Sequence, residues 1–149
     1  MKESINPQKE INYEEGEFQW IIIDDEISKR RAYLLQPGEF VLMASNEILN
    51  IPNGVLTFVQ GRSSIARIGV QTEQAGLIDA GFNGTITFEV FNETPYPIPL
   101  FEGMRVCQLY FFKAQHSMKP YGAKGKGSKY QLQIEATGSR IHQDPEFKE

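Results

Sequence analysis

Apolar residues in this chain arrive as short bursts. WIIID from Trp20, AYLLQPGEFVLMAS from Ala32 and VLTFVQG from Val55 are rich in β-branched and aromatic residues. Pro37-Gly38 and Pro52-Asn53-Gly54 punctuate them with turn chemistry. GTITFEVFN (84–92) and PIPLFEGMRVCQLYFF (97–112) repeat the pattern, the second broken at Glu102-Gly103. Strands at intervals of roughly ten residues, with turn signals between them, predict an all-β barrel or sandwich. One short helix is predicted in RSSIARIGV (62–70), with Ser63 as its N-cap and Ile65, Ile68 and Gly69 toward the core. No internal repeat is present, and residues 1–149 read as a single domain. Residues 1–19 carry Glu3, Glu10, Glu14, Glu15 and Glu17 among few large apolar groups and read as a loosely ordered start. Residues 121–149, rich in glycine, lysine and serine, read as a mobile carboxy-terminal arm.

The burst pattern gains weight from composition. Of 149 residues, 40% are hydrophobic and 11% aromatic, enough for a packed globule. No apolar run approaches the roughly 18 residues of a membrane span. The polar opening MKESINPQKE lacks a signal core, and the lone Cys107 fits a reducing compartment, so a cytoplasmic location is expected. Fifteen basic against nineteen acidic residues give a net charge of −4, which argues against a nucleic-acid polymer as partner. Charge is uneven, however: KPYGAKGKGSK (119–129) holds four lysines and no acid. Such a stretch is either a solvated tail or a holder of a small, multiply charged anion.

Candidate chemistry begins with an exclusion. One cysteine and two histidines, His116 and His142, do not supply the H-x-E and P-C-x-x-C ligands of a zinc deaminase. No nucleophile elbow or P-loop occurs either. In GTITFEVFN, strand alternation sends Ile86, Phe88 and Val90 to one face and Thr85, Thr87, Glu89 and Phe91 to the other. Glu89 is then either a solvated group on an open face or a pocket carboxylate suited to proton transfer. In GRSSIARIGV, the N–H groups beside Arg62 and Ser63 would cradle a phosphate, with Arg67 one turn beyond Ser63; a capped surface helix has the same sequence. Asp79 sits in AGLIDAGFNG, where Gly76, Gly81 and Gly84 permit a tight hairpin and close backbone approach to a ligand.

Taken in order, GRSSIARIGV, AGLIDAGFNGTITFEVFN, PIPLFEGMRVCQL, PYGAKGKGSKYQLQ and Ser139-Arg140 resemble the dCTP deaminase and trimeric dUTPase family, from about Gln36 to Ile141. Ala75-Gly76 before Leu77-Ile78-Asp79 looks most like the dUMP-forming, bifunctional dCTP deaminases. The Q-P-x-S-x-D-x-R-L-G motif with which family members normally begin does not occur in this sequence. The resemblance implies a distorted β-barrel of the dUTPase-like jelly-roll type, assembled as a homotrimer with sites between subunits. Residues 11–27, with Trp20 and Ile21 to Ile23 as apolar anchors, are expected to supply a replacement strand.

For the site, the resemblance implies metal-free deamination of dCTP with Glu89 as general base, Ser63 and Arg67 orienting glutamate and water, and Asp79 at the sugar. It implies that Asp79 also helps activate water for triphosphate cleavage to dUMP and pyrophosphate. Arg62, Ser63, Ser64, Gln74, Ala75 and Asp79 make up the body of the substrate site. Tyr121, Lys129, Tyr130 and Gln133 belong to an arm that closes over triphosphate and base. Mg²⁺ is expected to arrive with the triphosphate, and no zinc. Two alternatives stand beside this reading: a dUTPase without deaminase activity, and a non-catalytic protein that binds or sequesters nucleotides. Glu89 is the discriminator, since dUTPases resemble this stretch but usually carry an apolar residue there.

Overall fold

The computed structural model describes residues 12–14, 20–24, 29–72 and 75–147. Its chain divides into two compact units, one of residues 1–39 with 92–105 and one of 40–91 with 106–149.

The first unit is a four-stranded sheet in the order β1-β2-β3-β9, from β1 (Asn12–Glu14), β2 (Trp20–Asp24), β3 (Lys29–Leu35) and β9 (Ile98–Phe101). Within the stretch 11–27 the backbone does form strand: Trp20 to Asp24 pairs antiparallel with β3, Trp20 facing Tyr33 and Asp24 facing Lys29. The side-chain anchoring expected of Trp20 and Ile21 to Ile23 lies outside the described residues, as does most of the opening segment 1–19. Ala32, Tyr33, Leu34 and Leu35 are buried in succession, so both faces of β3 are covered. The turn at Pro37-Gly38 is closed by Glu39, which accepts from Tyr33 Oη at 2.5 Å and from Gln36 N at 2.6 Å. Low polarity around the tyrosine and the carboxylate at its hydroxyl both raise the Tyr33 pKa well above its ordinary value. Asn92 is fully buried. Its amide donates to Leu35 O and Tyr96 O, and its Oδ1 accepts from Thr94 N and Oγ1.

The second unit holds two three-stranded sheets, β10-β5-β7 and β4-β8-β6. They comprise β4 (Phe40–Asn50), β5 (Val55–Gly61), β6 (Val70–Gln71), β7 (Leu77–Ile78), β8 (Asn83–Asn92) and β10 (Cys107–Lys113), accompanied by a short α-helical turn, α1 (Ser63–Ala66), and two 3₁₀ turns at Ile141–Gln143 and Pro145–Phe147. The fold is all-β as expected, but the described strands form three separate sheets rather than one closed barrel. β4 and β8 pair antiparallel, with an irregularity between Ala44 and Ile48. There Ser45 Oγ replaces a ladder partner by accepting from Ile86 N at 2.9 Å.

Ser63 is the first helical residue, not the N-cap. β5 runs on through Gly61, and Arg62 keeps extended dihedrals (φ −80°, ψ 137°). Its N–H is held by Val106 O at 3.2 Å, so the turn starts one residue later than local sequence implies. Ile65 is buried as expected, whereas Ile68 remains 37% exposed.

Candidate functional site

All the site residues named from sequence fall in the second unit, but they lie on different elements. Ser63, Ser64 and Arg67 occupy the single turn α1 and its end, where all three are exposed and Arg62 is half-buried. The Arg67 amide donates to Ser63 O at 2.9 Å, which sets the two residues one turn apart. Ala75 is exposed beside Gly76, whose carbonyl accepts from Val59 N at 2.7 Å. Gln74 lies outside the described residues.

Asp79 follows directly after β7 and is half-buried. The turn after it is tied down by three backbone bonds: Phe82 N to Asp79 O, Gly81 N to Ile51 O, and Ile51 N to Phe82 O, at 3.2, 2.9 and 2.8 Å. Onto this hairpin the carboxy-terminal arm is laid. Tyr121 N donates to Ala80 O at 2.8 Å, and the Tyr121 ring sits 5.8 Å from that of Phe82. Gln131 bridges the turn, its Nε2 donating to Gly81 O and its Oε1 accepting from Asn83 N. Leu132 N then donates to Asn83 O at 2.7 Å, and Thr85 N to Gln133 O at 2.9 Å. Gln133 Nε2 is committed to Thr85 O at 2.7 Å and Thr87 Oγ1 at 3.3 Å, while its Oε1 is buried without a hydrogen-bond partner. Thr137 N adds a bond to Thr87 Oγ1 at 3.1 Å.

Glu89 follows two residues after Thr87 on β8, half-buried. From Thr87 its strand alternates as the sequence predicts, Phe88 and Val90 buried and Thr87, Glu89 and Phe91 half-buried, whereas before it Thr85 is buried and Ile86 only half-buried. Across the ladder, Phe40 faces Phe91, Leu42 faces Glu89 and Ala44 faces Thr87. Phe40 and Leu42 are 51% and 36% exposed, so the carboxylate stands on an open face with apolar neighbours.

The arm assembles a second cluster. Tyr130 N donates to Tyr121 Oη at 2.9 Å, and Tyr130 Oη accepts from Arg140 N at 3.0 Å. The Arg140 guanidinium lies 5.7 Å from the Tyr130 ring centroid and donates through Nη1 to Lys129 O. Lys129 Nζ reaches both carboxylate oxygens of Asp144 at 2.8 Å. The hydrogen bond to Asp144, more than any other neighbour, holds the Lys129 ammonium above its ordinary range.

The structure thus joins Tyr121 to the Asp79 hairpin, Gln133 to the strand bearing Glu89, and Lys129 to Tyr130. The turn with Ser63 and Arg67 is fixed separately, through Arg62 and Val106. Sequence reasoning named neither Gln131 nor Asp144, and it gave Arg140 no role beyond the Ser-Arg pair. Their only local signal is a polar residue in a stretch poor in apolar anchors. Among the described residues, no group of three His, Cys, Asp or Glu side chains is gathered to hold a metal ion, and no helix is long and apolar enough to cross a membrane.

Comparison with known proteins extends this picture. Similar curated proteins carry the name dCTP deaminase, dUMP-forming. One from a Sulfurihydrogenibium species is 42% identical over 120 residues, covering 80% of this chain and 64% of that protein. Another from Persephonella marina is 39% identical over 125 residues, covering 83% of this chain and 64% of that protein. One from Aquifex aeolicus is 43% identical over 115 residues, with 76% and 61% covered. The chain therefore spans somewhat less than two thirds of the length of these relatives. A solved native EIAV dUTPase shares the fold, with a TM-score of 0.51 at 21% identity over 76% of this chain and 92% of that one. The model of the dCTP deaminase-like family matches residues 6–114, and on that match the chain belongs to the dCTP deaminase-like family.

Proposed function

We propose that this protein is a dCTP deaminase that carries its product on to dUMP and pyrophosphate. The observation that carries the reading is Glu89: a half-buried carboxylate on β8, among exposed apolar side chains and two residues from the docking point of the arm. Its sequence setting resembles that of the dUMP-forming enzymes, and the relatives so named support it.

Glu89 takes a proton from water as that water attacks cytosine C4, then passes it to the departing amine. Ser63 and Arg67 orient the glutamate and stabilise charge at the tetrahedral carbon. Because α1 and β8 are separate elements, this role needs them brought to one site, either within the chain or by a neighbouring copy. Asp79 meets the sugar hydroxyl and helps activate water for phosphate cleavage. Arg62, Ser64, Gln74 and Ala75 line the body of the site, with Tyr121, Lys129, Tyr130 and Gln133 above triphosphate and base. The donors of the arm are ammonium, phenol and amide groups, which suit phosphate and base rather than a divalent cation. Mg²⁺ is accordingly part of the substrate, held by phosphate oxygens and water. We read the protein as cytoplasmic, of a cell or a virus-infected host, on the strength of its single half-buried cysteine.

The trimer belongs to the same proposal. Phe58, Leu77, Tyr110 and Phe112 are 41–53% exposed; Phe58 faces both Tyr110 and Leu77 across the ladders and meets Phe112 edge-on. An open aromatic face of this kind supports burial against another chain. Light scattering should give about 51 kDa, three times the 17.0 kDa chain; a single-chain mass at micromolar concentration would overturn the trimer.

The activity is tested by incubating the protein with dCTP and Mg²⁺ and reading ammonia, dUTP, dUMP and pyrophosphate separately. Glu89→Gln should abolish ammonia release while dCTP binding stays within a few-fold, since shape is kept and the base is lost. Retention of more than about a tenth of parent turnover would remove Glu89 from this role. Pyrophosphate from dUTP without ammonia from dCTP would make the protein a dUTPase. Nucleotide binding with neither product would make it a sequestering protein.

A further inference from the structure

Lys129 is gripped at both ends by one short segment. Arg140 Nη1 donates to the Lys129 carbonyl, and Arg140 N donates to Tyr130 Oη at 3.0 Å. One turn later, Asp144 takes the Lys129 ammonium on both oxygens at 2.8 Å. Two consecutive turns set that carboxylate: Asp144 N donates to Ile141 O at 2.9 Å, and Phe147 N to Asp144 O at 3.0 Å. Arg140 also faces the Tyr130 ring. A guanidinium that combines a carbonyl bond with ring stacking fixes its partners in a way that a lysine cannot reproduce.

A bidentate carboxylate and a phosphate ask the same thing of an ammonium group: two or three short, charge-assisted bonds. Lys129 cannot give both its full donor set at once, and a carboxylate left beside a polyphosphate is repelled by it. The pair is also half-exposed, with side-chain accessibilities of 25% and 29%, so its mutual attraction is weak enough to be exchanged.

We propose that Arg140 and Asp144 form a clasp for a polyphosphate site. Arg140 is a positioning residue that fixes the Lys129-Tyr130 backbone, and Asp144 is a placeholder anion that the polyphosphate displaces from Lys129. The inference rests on the reading that Lys129 meets the triphosphate, and it adds two residues to which that reading gives no part. Asp144 keeps the lysine extended and ordered in the unliganded protein. On product release it takes the ammonium back, which favours departure of the cleaved phosphates.

The test is calorimetric titration of the full-length protein with inorganic tripolyphosphate at several salt concentrations. Lys129→Gln should weaken binding about ten-fold and lower the slope of log affinity against log salt by about one. Asp144→Asn should tighten binding about two- to five-fold at low salt, the amount by which an exposed ion pair competes. Arg140→Gln and Arg140→Lys should both weaken binding about five-fold or more while leaving the salt slope unchanged, because Arg140 acts through Lys129. Thermal unfolding of each variant checks that it is folded, and Arg140→Lys stands in should Arg140→Gln fail to fold. If Asp144→Asn weakens binding as Lys129→Gln does, or if both Arg140 variants bind as the parent does, the clasp is overturned and the role of Lys129 survives. If Lys129→Gln binds tripolyphosphate like the parent, the phosphate reading of the arm falls, and the clasp falls with it.

Discussion

At Gly84 the arm lies so close against the β8 strand that a single methyl group there should part them. Its φ is +145°, and a Cβ would sit 2.7 Å from Gln133 O and 3.1 Å from Gln133 N, both backbone atoms that cannot swing away. Gly84→Ala therefore forces out the stretch that carries the Leu132–Asn83, Thr85–Gln133 and Gln133–Thr85 bonds. Each such bond contributes a net ~0.5–1.5 kcal/mol. Releasing three arm residues returns ~1 kcal/mol or more of backbone entropy apiece. Docking of the stretch is thus worth at most ~1.5 kcal/mol on balance, and the steric and conformational penalty of alanine, ~1–3 kcal/mol, is enough to offset it. The arm should detach before β8 unpairs from β4. Hydrogen exchange reads this directly: the Thr85 and Leu132 amides should lose protection by about ten-fold or more, while Val41 and Val90 in the β4–β8 ladder keep theirs. KM for dCTP should rise with little change in kcat. Parent-like protection at Thr85 and Leu132 would refute the claim that this contact holds the arm. Loss of protection throughout β4 and β8 would show that the glycine serves the sheet instead.

Two further outcomes follow from the first unit. The pKa of Tyr33 is raised on folding, so its neutral form stabilises the fold below the ordinary tyrosine value of 10.0, and that contribution is lost as pH climbs above it. Urea unfolding of the parent should show falling stability beyond about pH 10, and Tyr33→Phe should flatten that fall; an unchanged alkaline limb would contradict the link. Asn92→Ala should destabilise by roughly 2–3 kcal/mol, because it leaves Leu35 O and Thr94 N without their Asn92 partner. A loss under about 1 kcal/mol would mean that water replaces the amide.

Local sequence was informative wherever one strand face decides the structure. The alternation in GTITFEVFN anticipated that Phe88 and Val90 would be buried and that Glu89 would share a face with Thr87 and Phe91. Turn residues marked the breaks at Pro37-Gly38 and Pro52-Asn53-Gly54 because their dihedral preferences are intrinsic to the residue. Ser63 shows where this fails. Its capping preference is real, but the Arg62 N–H is taken by Val106, 44 residues away in sequence, and the strand continues past the expected helix start. The arm is a harder case. Tyr121 to Thr137 is fastened by backbone groups and by Gln131, Gln133 and Thr87 side chains rather than by apolar burial. Hydropathy carries no signal for that kind of docking, and the Lys129–Asp144 pair, 15 residues apart, has no periodic signature either.

The glycines around Asp79 carry a different meaning in the fold than in the sequence. In AGLIDAGFNG they read as room for a ligand to approach the backbone. The structure fills that room with protein: a Cβ on Gly81 would meet Pro120 Cβ at 2.7 Å and Tyr121 O at 2.8 Å, and one on Gly84 would meet Gln133. Both glycines thus admit the two ends of the arm stretch that bears Tyr121, Lys129, Tyr130 and Gln133. Gly122 does the reciprocal service from the arm side, since a Cβ there would fall 2.4 Å from Gln131 Nε2, the group that bonds Gly81 O. The physical consequence is that the hairpin and the arm pack as one unit. Asp79 is held in register with Tyr121, and Gln133 with the strand of Glu89, by backbone fit together with the Gln131, Gln133 and Thr87 side chains. A substitution at these glycines should therefore act on nucleotide affinity through the arm, even though no glycine need touch the nucleotide.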